Sequence, residues 1–163
     1  MAIPTPSSTG WWPTLRLGCA LAVLAAATAC APKYAMPAPE GFVRFEDKKG
    51  LAYITADGVQ VRSRSVRNYP KADLAFWADA MERHLVARGY LLHAKKCFKT
   101  ARGADGCTAE FVLPHSGEDW VLAETLFVHG DHIAVVETAG PFDRYKKVAA
   151  SVAKAMESFE ILP

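Results

Sequence analysis

From residue 41 onward, apolar positions recur with a period that changes segment by segment. Residues 42–46 and 51–55 are short apolar-rich runs on either side of a charged turn at 47–50, and each predicts a strand. Asp57-Gly58 supplies the positive φ that a tight hairpin needs, so a third strand follows at once. That strand, residues 59–66, alternates strictly. Val59, Val61, Ser63 and Ser65 share one face; Gln60, Arg62, Arg64 and Val66 share the other. Asn68-Tyr69-Pro70 breaks it, and the period then lengthens to that of a helix. Asp73 can cap this helix; Leu74, Trp77, Ala78, Met81 and Leu85 make one apolar stripe, and Gly89 ends it. Residues 90–98, 107–113, 120–128 and 132–138 read as four more strands. A second helix over 142–159 turns Tyr145, Val148, Val152 and Met156 inward.

The resulting order is β-β-β-α-β-β-β-β-α. Short turns between strands imply an antiparallel sheet. The expected class is therefore α+β: about six to seven strands with two amphipathic helices packed on them. Tyr53 and Trp120 are assigned to the core.

The first forty residues follow other rules. Arg16 precedes an apolar run of about ten residues, too short for the roughly 20 that a membrane-spanning helix needs. Small residues follow it. Ala27-Thr28-Ala29-Cys30 resembles the lipobox of bacterial lipoproteins, although Ala27 stands where Leu is usual. The resemblance implies a signal peptide over 1–29 and a diacylglyceryl, palmitate-type anchor on Cys30; the alternative is plain secretion with cleavage near Ala29. Ala31, in place of Asp, resembles an outer-membrane address with the domain in the periplasm. Pro32, Pro37 and Pro39 sit among small residues, so 30–40 reads as the lipidated cysteine and a tether, and 41–163 as a single domain.

Without the leader, 18 basic residues face 17 acidic ones, because Arg16 is the only charge removed from the 19 and 17 of the whole chain. That balance argues against nucleic-acid binding. Cys97 and Cys107 are left in an oxidising compartment, where a disulfide across a hairpin is expected and two buried thiols are the alternative.

Several features together resemble the PsbP/DcrB-like family: Gly41-Phe42, Ala56-Asp57-Gly58-Val59, Asp73-Leu74-Ala75-Phe76-Trp77, Gly89-Tyr90, Gly130-Asp131 and Ser158-Phe159. They cover nearly all of 41–161. The resemblance implies an α/β/α sandwich acting in binding or assembly, and it brings no catalytic motif.

Candidate chemistry is sparse. His129 and His132 flank a turn and would diverge, so no metal is expected; His84, His93 and His115 are isolated. Ser63, Ser65 and Ser116 lack a nucleophile elbow. Glu118, Asp119 and Glu124 lack a recognisable sugar cleft. The most promising surface is Arg62, Arg64 and Arg67 with Lys71. Arg62 and Arg64 lie about 7 Å apart on one strand face and could grip phosphate or carboxylate groups; a charged, aggregation-resistant edge is the bland alternative. The expectation is a non-catalytic, membrane-anchored envelope lipoprotein without a cofactor. It would bind a partner protein or assist assembly; the alternative is a small-ligand or lipid-binding module, and a hydrolase is the least supported. An apolar groove around Arg62 and Arg64 would favour the ligand-binding alternative.

Overall fold

The computed structural model describes residues 33–46 and 50–162. The signal-peptide reading of 1–29 and the lipidation of Cys30 lie outside the described residues. The strands are β1 (Lys33–Ala35), β2 (Val43–Arg44), β3 (Ala52–Ile54), β4 (Gln60–Arg67), β5 (Leu91–Lys99), β6 (Asp105–His115), β7 (Glu118–His129), β8 (His132–Pro141) and β9 (Glu160–Leu162). The helices are α1 (Leu74–Val86) and α2 (Phe142–Glu157).

Seven strands form one antiparallel sheet in the order β2-β3-β4-β8-β7-β6-β5. The two helices cover opposite faces. On the α2 side, Val61, Val121, Ala123, Phe127, Ala134 and Val136 pack against Tyr145, Val152, Ala155 and Met156 in the main core. On the other side, Leu126, Ile133 and Val135 pack with Val66, Leu74, Trp77, Met81 and Val128 in a smaller cluster. The strict alternation of β4 has this cause: Val61 and Ser63 are buried toward α2, while Arg62 and Arg64 stay exposed on the opposite face.

α1 begins as its sequence requires. Asp73 Oδ1 accepts from the Phe76 backbone N–H at 2.8 Å, which satisfies one of the unpaired donors of the first turn of α1. Gly89, at φ +91°, turns the chain away after the helix. Asn68 then locks the connection between β4 and α1. Its Nδ2 donates to the carbonyls of Ala72 and Gly130, and its Oδ1 accepts from Ala72 N–H and Trp77 Nε1.

The tether expectation needs correction from Lys33 onward. Residues 33–35 pair with β9, a strand that the periodicity did not reveal. Met36 is buried and its carbonyl accepts from Tyr53 Oη at 2.8 Å; Ser151 Oγ donates to the carbonyl of Glu40. A short strand whose partner sits at the other end of the chain leaves no local periodic signal.

Cys97 and Cys107 stand directly opposite each other in the β5–β6 register, and their sulfurs are bonded. The bond fastens the edge strand β5. Closing a ten-residue separation constrains the unfolded chain by about 2–3 kcal/mol. Reduction is therefore expected to lower the unfolding free energy by that amount, with a correspondingly lower urea midpoint, and to open the β5 amides to hydrogen exchange. Equal midpoints with and without reductant would refute this.

Candidate functional site

The α1-side face of the sheet is laid out by register. Val66, Ile133 and Val128 form one row across β4, β8 and β7. Arg64, Val135 and Leu126 form the next, and Arg62, Glu137 and Glu124 the third. α1 lies mainly over β5, β6 and β7, and only its Leu74, Trp77 and Met81 side reaches toward β8 and β4, which leaves a groove along that side. Its volume is about 530 Å³, within the range of roughly 300–1,000 Å³ usual for small-molecule sites. Its floor is Val66, Leu126, Ile133 and Val135; Trp77, Met81 and Leu85 form the helical wall. Arg64, Arg67, His84 and Glu124 supply the polar groups.

Glu124 is the unusual member. It projects from a central strand and is 7% exposed. Its Oε1 lies 3.9 Å from the Arg64 guanidinium, beyond hydrogen-bonding range, and its Oε2 has no partner among the described residues. Burial pushes the carboxyl up to about 7; the neighbouring charge of Glu137 adds to this, and Arg64 partly opposes it. A buried carboxyl without a hydrogen bond is destabilising, and a donor entering the groove would relieve it.

Of the residues singled out in the sequence, Arg64 and Arg67 come together at this groove. Arg62 shares the face of Arg64 but lies outside the groove, with its guanidinium over the Phe45 ring at 5.6 Å. Lys71 pairs with Asp131 at 3.0 Å instead. Glu118 and Asp119 sit near the β6–β7 turn, away from Glu124. Ser63 Oγ accepts from Leu51 N–H, and Ser65 Oγ accepts from Tyr34 Oη. His129 and His132 are register partners at the β7–β8 turn. No group of three His, Cys, Asp or Glu among the described residues is arranged to hold a metal. Tyr53 is buried as expected; Trp120 is half-buried, edge-on to His115.

Glu124 was weighed in the sequence only as a carboxylate partner for Glu118 or Asp119. Its signal was a lone acid within the apolar stretch 120–128 of a strand that the order of elements places inside the sheet. A second, smaller cavity of about 100 Å³ lies under α2, where Tyr145 Oη donates to Glu110 at 2.6 Å. Burial, and then Glu110, raise the Tyr145 hydroxyl well above its usual range.

No protein-family model matches the sequence, and no curated protein matches it. Solved structures do match. LpqN of Mycobacterium tuberculosis, described as involved in cell envelope biogenesis, superposes with a TM-score of 0.66 at 10% identity, over 82% of this chain and 85% of that one. The cyanobacterial PsbP of Synechocystis sp. PCC 6803 superposes with a TM-score of 0.58 at 12% identity, over 78% and 86% of the two chains. The fold is PsbP-like. A protein from Bacteroides thetaiotaomicron also matches, with a TM-score of 0.51 at 14% identity over 80% of this chain and 45% of that one. Within this PsbP-like frame, the groove has two arginines, an acid and an imidazole over an apolar floor. Among the described residues, its lining includes no Ser, Thr, Cys or Lys.

Proposed function

We propose that this protein is a non-catalytic binding module of the bacterial envelope, anchored through lipid on Cys30, with its domain in the periplasm and the α1-side groove as its ligand site. The observation that carries the reading is the groove itself. Its apolar floor suits a hydrocarbon segment, while Arg64 and Arg67 suit an anionic head group. Arginine offers the planar fork that matches phosphate or carboxylate, and Arg64 is 47% exposed. This is an amphiphile site by charge complementarity. The described helices include none long and apolar enough to cross a membrane, which is compatible with attachment by lipid alone.

Dodecyl phosphate is a direct probe. Calorimetry is expected to detect its binding to the wild-type chain, and Arg64→Ala is expected to weaken it about 10- to 100-fold, the worth of one charge-assisted hydrogen bond. Failure of dodecyl phosphate to bind, or equal binding of a neutral alkyl maltoside, would overturn the ligand class.

A partner protein is the second reading. It is favoured by Val86, Leu91 and Leu92, which are exposed around the link from α1 to the edge strand β5, Leu91 at 67%. The likeness to LpqN, a protein of cell envelope biogenesis, is compatible with either reading. Affinity purification from solubilised envelopes, with Cys30→Ser as control, separates them. A stoichiometric protein recovered only with the anchored form supports the partner reading; native mass spectrometry of protein carrying an amphiphile supports the groove.

A further inference from the structure

The placement of β1 decides which end of the domain meets the membrane, on the reading that Cys30 carries the lipid. Met36 sits over the β3 strand, where its carbonyl accepts from Tyr53 Oη, and Tyr53 is the register partner of Val61 on β4. Two residues earlier in the chain, Tyr34 Oη donates to Ser65 Oγ at 3.1 Å. Ser65 is four positions further along β4. Traced backward, the chain therefore runs toward the end of β4 that carries Arg67. Arg67 pairs with His132, beside the β7–β8 turn.

Lys33 is only three residues beyond Cys30. Three residues span at most about 11 Å when fully extended, whatever path they take. A tether through residue 40 would have allowed several times that reach, but residues from 33 on belong to the fold. The lipid therefore cannot hold the domain at a distance.

Both ends carry paired charges: Lys146 on Asp143 and Arg144 on the Asp57 carbonyl at the far end, Lys71 on Asp131 and Lys99 on Asp105 at the anchored end. The length of the link to Cys30 therefore sets the orientation, and Arg67 is a cation at the anchored end that can meet an anionic headgroup.

We infer that the Arg67 end of the sheet, with the β7–β8 turn and the 68–72 connection, rests on the headgroups of an anionic bilayer, while the β6–β7 turn and the start of α2 point away. The groove shares Val66, Arg67, Ile133 and Trp77 with the apposed end, so it stands at headgroup level.

The test uses the lipidated full-length product in nanodiscs of phosphatidylethanolamine and phosphatidylglycerol, with acetylation of lysines read by mass spectrometry. Lys71 and Lys146 are matched reporters: each is an exposed, ion-paired lysine, one at either end. Lys71 is expected to react several-fold more slowly in the nanodisc than in the Cys30→Ser protein in solution, with Lys146 unchanged. Equal slowing at both sites, or slowing at Lys146 alone, would overturn the orientation while leaving the anchor intact. An intact mass without diacylglyceryl would remove the anchor and the orientation together.

A second readout needs no lysine chemistry. Trp77 hydrogen-bonds Asn68 at the apposed end, and Trp120 pairs with Pro141 at the other. From residue 120 to 128 the strand β7 spans about 26 Å. Energy transfer to a dansyl-labelled headgroup should be strong in the Trp120→Phe form, which keeps Trp77, and weak in Trp77→Phe. The reverse order would refute the inference.

Discussion

Glu124→Gln is expected to make the protein more stable than wild type at about pH 8, by about 3 kcal/mol, and to leave it nearly unchanged at about pH 4. The sign follows from the direction of the shift. The folded carboxyl titrates near 7, above its ordinary 4.5, because it is buried. Between those values the folded state binds a proton that the unfolded state has released. Stability is therefore highest below the unfolded value, falls as pH rises through this window, and is lowest above 7. Glutamine fills the same space without the charge, so the variant escapes the loss. The groups facing Glu124 are Glu137 and Arg62 in its own row, Arg64 in the next, and His84 across the groove on α1. Glu137 raises the penalty and Arg64 reduces it. Urea unfolding of both proteins across this pH range measures the difference. A constant difference with pH would show that Glu124 does not titrate in the folded state as described.

Phe127→Ala is expected to cost about 3–5 kcal/mol, the usual range for emptying a buried aromatic site. Phe127 is fully buried. Its ring stacks on Phe159 at 4.2 Å and meets Phe98 edge-on at 6.0 Å. Gly106 lies against it so closely that a Cβ there would strike the ring, and the glycine has no side chain with which to refill the space. Phe159 in turn packs on Tyr34 of β1 at 5.4 Å. The loss should therefore reach the ribbon that joins the domain to its anchor, and the amides of β1 and β9 should lose protection along with the core. Val43→Ala, at a side chain 65% exposed, is the control and should leave the unfolding free energy within about 0.5 kcal/mol of wild type. A similar midpoint for Phe127→Ala would mean that the aromatic stack is not where this core is held.

Much of the fold could be read from the chain. The alternation of β4, the stripe of α1 under its Asp73 cap, the Asp57-Gly58 turn and the apolar face of α2 are local patterns, and each gave the right element within a few residues. The opposed pair Cys97 and Cys107 was also suggested by its spacing. The candidate site was legible only in part. Arg62 and Arg64 were picked out as an anion grip on one strand face, with Arg67 and Lys71 just beyond; the shared face holds, but only Arg64 and Arg67 line the groove. The structure engages Arg62 with Phe45 and Lys71 with Asp131.

What the sequence determined by itself was therefore the alternation and periodicity of single elements, the near-neutral charge, and which residues of β4 share a face. These depend on neighbours a few positions apart. The tertiary structure alone decided the rest. The placement of β4 beside β8 brought Arg64 within reach of Glu124. The position of α1 over β5 to β7 left the groove open. The pairing of Lys33–Ala35 with Glu160–Leu162 turned an apparent tether into part of the fold. Each of these joins residues far apart in the chain. Burial and electrostatics depend on distance in space, so Glu124 became a titrating group near neutral pH only when the sheet enclosed it.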